Sequence, residues 1–195
     1  FDIALYDCYV VLEKGIGYDA NGIGNMTMVN CSGSNISSPA VQIRGVDDRI
    51  RLMDCLMISS DIGLSAMGEF TNLDISECRF IGNRYGIILS GGSDVNISHT
   101  MIQKTIDTAI LARSTDHVSI TRNTIRDGTM GIRFADVSAG LISDNEIFEN
   151  FLGIQITEVS ATTVIESNLI ALCDSQAIRL VDAMAVSVTN NTFIY

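Results

Sequence analysis

One register runs through all 195 residues of this chain. Asparagine stands at 123, 145, 168 and 191, inside the related stretches ITRNTI, ISDNEI, VIESNLI and VSVTNNTF. Upstream, the same position holds Thr100, Cys78, Cys55, Cys31 and Cys8, at intervals of 22 to 24 residues. Self-similarity at a fixed period of this length is the signature of a solenoid, in which each repeat buries its apolar face only against its neighbours.

The apolar residues around this anchor position say what kind of repeat it is. Three residues before it stand Leu5, Met28, Leu52, Ile75, Ile97, Ile120, Ile142, Ile165 and Val188, apolar in every repeat. The position five before is mostly apolar (Ile3, Met26, Ile50, Leu73, Val95, Val118, Val186), and so is the position two after (Met57, Phe80, Ile102, Ile125, Ile147, Ile170, Phe193). Apolar residues two apart are strand periodicity, one face in and one face out. Another strand is expected eight to twelve residues after the anchor, in Gly86-Ile87, Ala109-Ile110, Gly131-Ile132, Gly153-Ile154 and Ala177-Ile178. Asn, Asp, Gly and Ser between the strands are turn formers. No window long enough for a helix with a 3.6-residue period survives this pattern.

Two or three short strands per repeat cannot hold a core alone, but stacked coils can, each strand pairing in parallel with its equivalents above and below. The expected fold is therefore all-β, a right-handed parallel β-helix of about eight to nine coils with about 23 residues per coil, forming one body over residues 1–195. Nine anchors at a strand spacing of about 4.8 Å make a rod of roughly 40 Å. An inward asparagine amide is costly without partners, so it should bond to the backbone and to the next asparagine in the stack. Both ends of the chain lie inside the repeat, which points to a piece of a longer protein, its coil ends covered by flanking domains or other subunits.

This pattern of apolar columns with asparagine at the turn resembles the parallel β-helix repeats of the pectin-lyase-like superfamily. That resemblance implies an extracellular, cell-surface or virion location. It also implies either a domain that binds or processes a polysaccharide, as a lyase, hydrolase or epimerase, or a non-catalytic structural rod such as a tail spike. Fold alone does not choose between these.

Composition narrows the partners. Twelve Lys and Arg face 23 Asp and Glu, a net charge of −11, which argues against nucleic acid because phosphate binding needs clustered cations. No apolar run approaches the roughly 18 residues of a membrane span.

The candidate site follows from alternation on the strand after the anchor. Gln42, Ser65, Ile88, Leu111, Arg133, Gln155 and Arg179 should share its outward face, with Asp136, Glu158 and Asp182 just beyond the strand on the last three coils. Arg133, Gln155, Arg179, Asp136, Glu158 and Asp182 thus form a strip of cationic, amide and carboxylate groups able to hydrogen-bond an extended sugar chain. In pectate lyase relatives an outward face of this kind carries the substrate. The competing account is a set of surface ion pairs worth roughly 0 to 1 kcal/mol each.

Other motifs are fragmentary, and no catalytic residue is assigned. Of the polygalacturonase set only Asp47-Asp48 is present. Gly17-Tyr18-Asp19-Ala20-Asn21 resembles the mannuronan epimerase site without its Pro and His, and otherwise reads as a Gly/Asn-rich turn. His99 and His117 fall at different points of the circumference, which leaves Asp116-His117 as the dyad to test for acid–base chemistry. No cofactor is required, although calcium is possible at acidic turns such as Asp47-Asp48, Asp94 and Asp144. Cys8, Cys31, Cys55 and Cys78 occupy the anchor column as buried thiols, disulfides or metal ligands, while Cys173 lies in a later turn.

Overall fold

The computed structural model describes residues 2–46, 49–159 and 161–195. Among them there are 26 strands and no helix. Three parallel sheets run the length of the molecule, two of nine strands and one of eight, which makes eight full coils and two strands of a ninth. The first sheet begins with Asp2–Tyr6 and ends with Val186–Thr189; the second runs from Tyr9–Val11 to Thr192–Ile194; the third runs from Tyr18–Asn21 to Gln176–Val181. Successive strands pair at the repeat interval, Ile97 with Ile120 and Ile120 with Ile142, so like residues lie over like residues.

The structure divides each repeat more finely than its apolar pattern. The apolar residues before and after the anchor read as one strand and a turn; they belong to two sheets meeting at a sharp corner. The residue ahead of each anchor, Asp7, Asn30, Asp54, Glu77, His99, Arg122, Asp144, Ser167 or Asn190, has φ between 51° and 57°. That left-handed conformation is cheapest for Asn and Asp among residues with a side chain, which explains why they crowd this column. One αL residue rotates the chain so that the next side chain, the anchor, turns inward.

The anchors form one hydrogen-bonded series. Each asparagine carbonyl accepts from the backbone N–H of the anchor one coil earlier: Thr100 to Asn123, Asn123 to Asn145, Asn145 to Asn168, and Asn168 to Asn191, all at 2.9 Å. The amides also bond to one another, Asn123 Nδ2 to Asn145 Oδ1 at 3.0 Å and Asn145 Nδ2 to Asn168 Oδ1 at 2.9 Å. Cys78 N–H continues the series by donating to Thr100 Oγ1 at 3.3 Å. A second inward column, absent from the sequence-based expectation, occupies the corner between the second and third sheets. There Asn83 accepts from Ser60 N–H at 2.8 Å and Asn150 from Gly128 N–H at 3.1 Å. Cys173 belongs to this column: the N–H of the next residue, Asp174, donates to Asn150 O at 3.1 Å, and the Cys173 thiol donates to Ala171 O at 3.8 Å.

The Gly-Ile pairs have a steric cause. A Cβ on Gly86 would lie 2.4 Å from the Ala109 carbonyl oxygen, and one on Gly153 2.4 Å from that of Ala177. Close approach of the coils at the start of the third sheet therefore selects Gly or Ala. Inside, Leu52, Ile75, Ile97, Ile120 and Ile142 have no solvent exposure; burying each such side chain is worth roughly 1.5 to 3 kcal/mol before entropy is subtracted. The same columns surface at the two ends, where Ile3, Val188 and Phe193 are 37%, 41% and 42% exposed.

Candidate functional site

The third sheet stacks the predicted strip in register. Arg133, on strand Met130–Ala135, pairs with Gln155 on Leu152–Thr157, which pairs with Arg179 on Gln176–Val181. Upstream, Gln42, Ser65, Ile88 and Leu111 continue the column. The face is not uniform: Ser65 and Leu111 are buried by their neighbours, so only part of it can meet a large ligand.

The arginines are not spent on ion pairs. Among the described residues Arg133 and Arg179 make none, whereas Arg44 pairs with Asp19 at 2.8 Å, Arg51 with Asp74 at 3.6 Å and Arg84 with Asp61 at 3.8 Å. Arg133 Nε is buried without a hydrogen-bond partner, as are Arg44 Nε and Arg51 Nε, so what sets Arg133 apart from them is that it has no carboxylate partner. An orphaned guanidinium N–H costs free energy that an incoming acceptor would recover.

Asp136, Glu158 and Asp182 stand at the corner that follows this sheet, at φ 56°, 57° and 51°. The same column holds Gly68 and Gly91 at φ 82° and 83° in earlier coils. Backbone geometry therefore accounts for an Asp at this corner before any ligand is considered. Backbone bonds fix the carboxylates one coil apart, Asp136 N–H to Thr157 O and Glu158 N–H to Val181 O, each 3.1 Å. Asp136 also accepts from Ser114 Oγ at 3.1 Å.

Asp116 and His117 do not form a dyad. Asp116 accepts from Ser138 Oγ, while His117 Nδ1 lies 4.0 Å from Asp94 on the preceding coil. The two residues are consecutive and both exposed, and each meets a different partner. His99 sits at the corner before Thr100, in the column of Asp54 and Asp144. The stretch at 17–21 is not a turn: Tyr18–Asn21 is a strand, with Tyr18 and Ala20 inward and Asp19 outward against Arg44. Asp47 and Asp48 lie outside the described residues. Among the described residues no group of three or more His, Cys, Asp and Glu is placed to hold a metal ion.

A groove unmarked by any motif lies along the corner between the second and third sheets. It encloses about 470 Å³ between Asn35, Ser37, Ser59, Asp61, Arg84 and Ile106. The Arg84 guanidinium lies 5.3 Å from the Tyr85 ring centre, and Tyr85 donates to Asp107 at 2.8 Å. Its lining comes from four coils, so no contiguous sequence pattern announces it.

A family model described as "Right handed beta helix region" matches residues 14–129 and 63–195, nearly the whole chain. The chain belongs to the right-handed β-helix family. No curated protein and no solved structure matches it. Membership accounts for the coil and its handedness, whereas the groups on its outer face belong to this chain. No helix of the described residues is long and apolar enough to cross a membrane.

Proposed function

We propose that this β-helix binds an extracellular polysaccharide along the outer face of its third sheet. Arg133, Gln155 and Arg179 contact the glycan, and Asp136, Glu158 and Asp182 flank it. The observation that carries the proposal is the uncommitted state of the arginines. Two guanidinium groups stand in register with an amide between them, neither ion-paired, one with a buried N–H that lacks an acceptor. Strand spacing of about 4.8 Å sets neighbouring contacts close to the repeat of a sugar chain in extended form. Arginine forks are suited to carboxylate or sulfate groups, and the amide to hydroxyls.

The test is an oligosaccharide array probed with the purified chain, followed by assays for new reducing ends and for unsaturated products. Binding that is lost in Arg133→Ala and Arg179→Ala, and kept in Arg84→Ala at the separate groove, is the expected result. Retained binding in the two arginine variants removes the strip from the account.

A second proposal is a structural rod, as in a tail spike or surface fibre. The unbroken pairing of all three sheets from one end to the other supports it. If no glycan binds and no product forms, this becomes the better account.

A further inference from the structure

Charge alternates along the strip on the third sheet. Coil by coil it reads Arg133 with Asp136, Gln155 with Glu158 and Arg179 with Asp182, each carboxylate three residues after the strip residue of its coil. The outer two rungs are therefore neutral in sum, whereas the middle rung carries one negative charge. The two arginines share a column two coils apart, about 9.6 Å at a strand spacing of about 4.8 Å. Arg113, one coil earlier, lies opposite Ala135, two positions further along its strand, so it stands beside this column and not in it. On that coil the column itself holds Leu111, which is buried and apolar.

We infer that this face selects an acidic polysaccharide with one carboxylate or sulfate on every second sugar and an uncharged sugar between. The inference rests on the glycan-binding role proposed above and names the class of glycan. Two strand steps match two sugars of an extended chain, so consecutive anions of such a polymer meet Arg133 and Arg179 while the neutral sugar meets Gln155. Each guanidinium offers a planar fork to an anion. The Gln155 amide both donates and accepts, which suits hydroxyl or acetamido groups. A polymer charged on every sugar sets an anion on the Gln155 rung instead, where Glu158 repels it and no cation of the column offsets it. Juxtaposed like charges are one way a site rejects a near-match ligand. Non-specific attraction to the arginines would give the reverse order, because the fully charged polymer carries more charge at equal length.

The test titrates the purified chain by calorimetry, at one ionic strength, with octasaccharides that differ in charge pattern: alternating glucuronate and N-acetylglucosamine, a galactan with sulfate on every second sugar, galacturonate throughout, and glucose throughout. At least one alternating ligand is expected to bind about tenfold tighter than the all-galacturonate one, and the glucose ligand not at all. Gln155→Lys, which completes the cation column, is expected to reverse that order. Arg133→Ala and Arg179→Ala are expected to abolish binding of the alternating ligand. All-galacturonate bound as tightly as either alternating ligand overturns the inference, as does glucose bound equally well or an order unchanged in a folded Gln155→Lys variant. In those cases loss of binding in the arginine variants leaves the glycan-binding strip standing. Binding of none of these ligands also overturns the inference, and the oligosaccharide array then decides whether the strip takes another glycan. Binding that survives both arginine variants removes the strip and the inference with it.

Discussion

Replacing Asn145 by Ala tests how the coil corner is held. The Asn145 side chain accepts from Asn123 N–H at 2.9 Å and from Asn123 Nδ2 at 3.0 Å. It donates to Ile120 O at 2.8 Å, Ser143 O at 3.0 Å and Asn168 Oδ1 at 2.9 Å. Alanine removes all five contacts at a site that is 1% exposed. The Asn123 amide keeps Ile97 O as a partner, but the Asn123 backbone N–H is left without one. One orphaned buried donor costs about 1 to 3 kcal/mol, and loss of the bond to Ile120 O adds to it, whereas Ser143 O keeps the Arg122 N–H. The expected loss is about 2 to 4 kcal/mol, read as a lowered midpoint in urea with the slope unchanged. Hydrogen exchange at the Asn123 amide should accelerate more than at Ile97, which lies in the sheet. Asn145→Cys is expected to lose less, because this position already holds buried cysteine at 55 and 78, whose thiols donate to Met53 O and Ser76 O as Asn145 donates to Ser143 O. A cost below about 0.5 kcal/mol, within the range of ordinary surface substitutions, would refute the hydrogen-bond account. So would an Asn123 amide that exchanges as before.

Four further outcomes are expected. Gly86→Val should destabilise by about 3 kcal/mol or prevent folding, and Gly86→Ala by less, since its Cβ meets the Ala109 carbonyl and no rotamer relieves backbone contact; equal midpoints for both would contradict this. Burial pushes the Tyr18 hydroxyl above its ordinary value near 10, and the bond to Asp107 pushes Tyr85 up. The folded chain then holds more protons than the unfolded one above pH 10, so these groups stabilise fully below that value and stability falls as pH rises through the folded pKa. Tyr18→Phe should flatten the fall, and a slope unchanged between pH 9 and 12 would argue against it. Ellman's reagent should find Cys31, Cys55 and Cys78 unreactive in the native chain and all five thiols in denaturant; fewer than five after unfolding would mean a disulfide. The exposed end columns should make the isolated chain associate, less so in Val188→Lys and Phe193→Lys; a monodisperse monomer by light scattering would show that the ends are tolerated bare.

The coil was legible because a period of 22 to 24 residues and apolar spacing of two both act on every repeat, and each column repeats the evidence. Leu52, Ile75 and Ile97 report the same interior position. The division between the first and second sheets was not legible, because Ile75 and Phe80 flank one anchor as a single apolar cluster until the αL residue Glu77 is seen to turn the chain between them. The second inward column, Ser60, Asn83 and Asn150, escaped because Thr105 and Gly128 interrupt it and only two of its positions, Asn83 and Asn150, hold a side-chain amide. At the candidate strip, alternation placed Arg133, Gln155 and Arg179 correctly in register. It could not tell that Ser65 and Leu111 on the same face are covered, since that depends on side chains of neighbouring coils. Nor could spacing reveal that Asp136 and Glu158 sit where the backbone demands φ near 56°.

Stacking of like residues at the repeat interval is measured most directly by interstrand nuclear Overhauser contacts in an isotopically labelled sample. Backbone contacts linking Ile97 to Ile120, Ile120 to Ile142 and Ile142 to Ile165, all with the parallel pattern, are the predicted result. Antiparallel contacts, or none between these residues, would contradict the coil and everything built on its outer face.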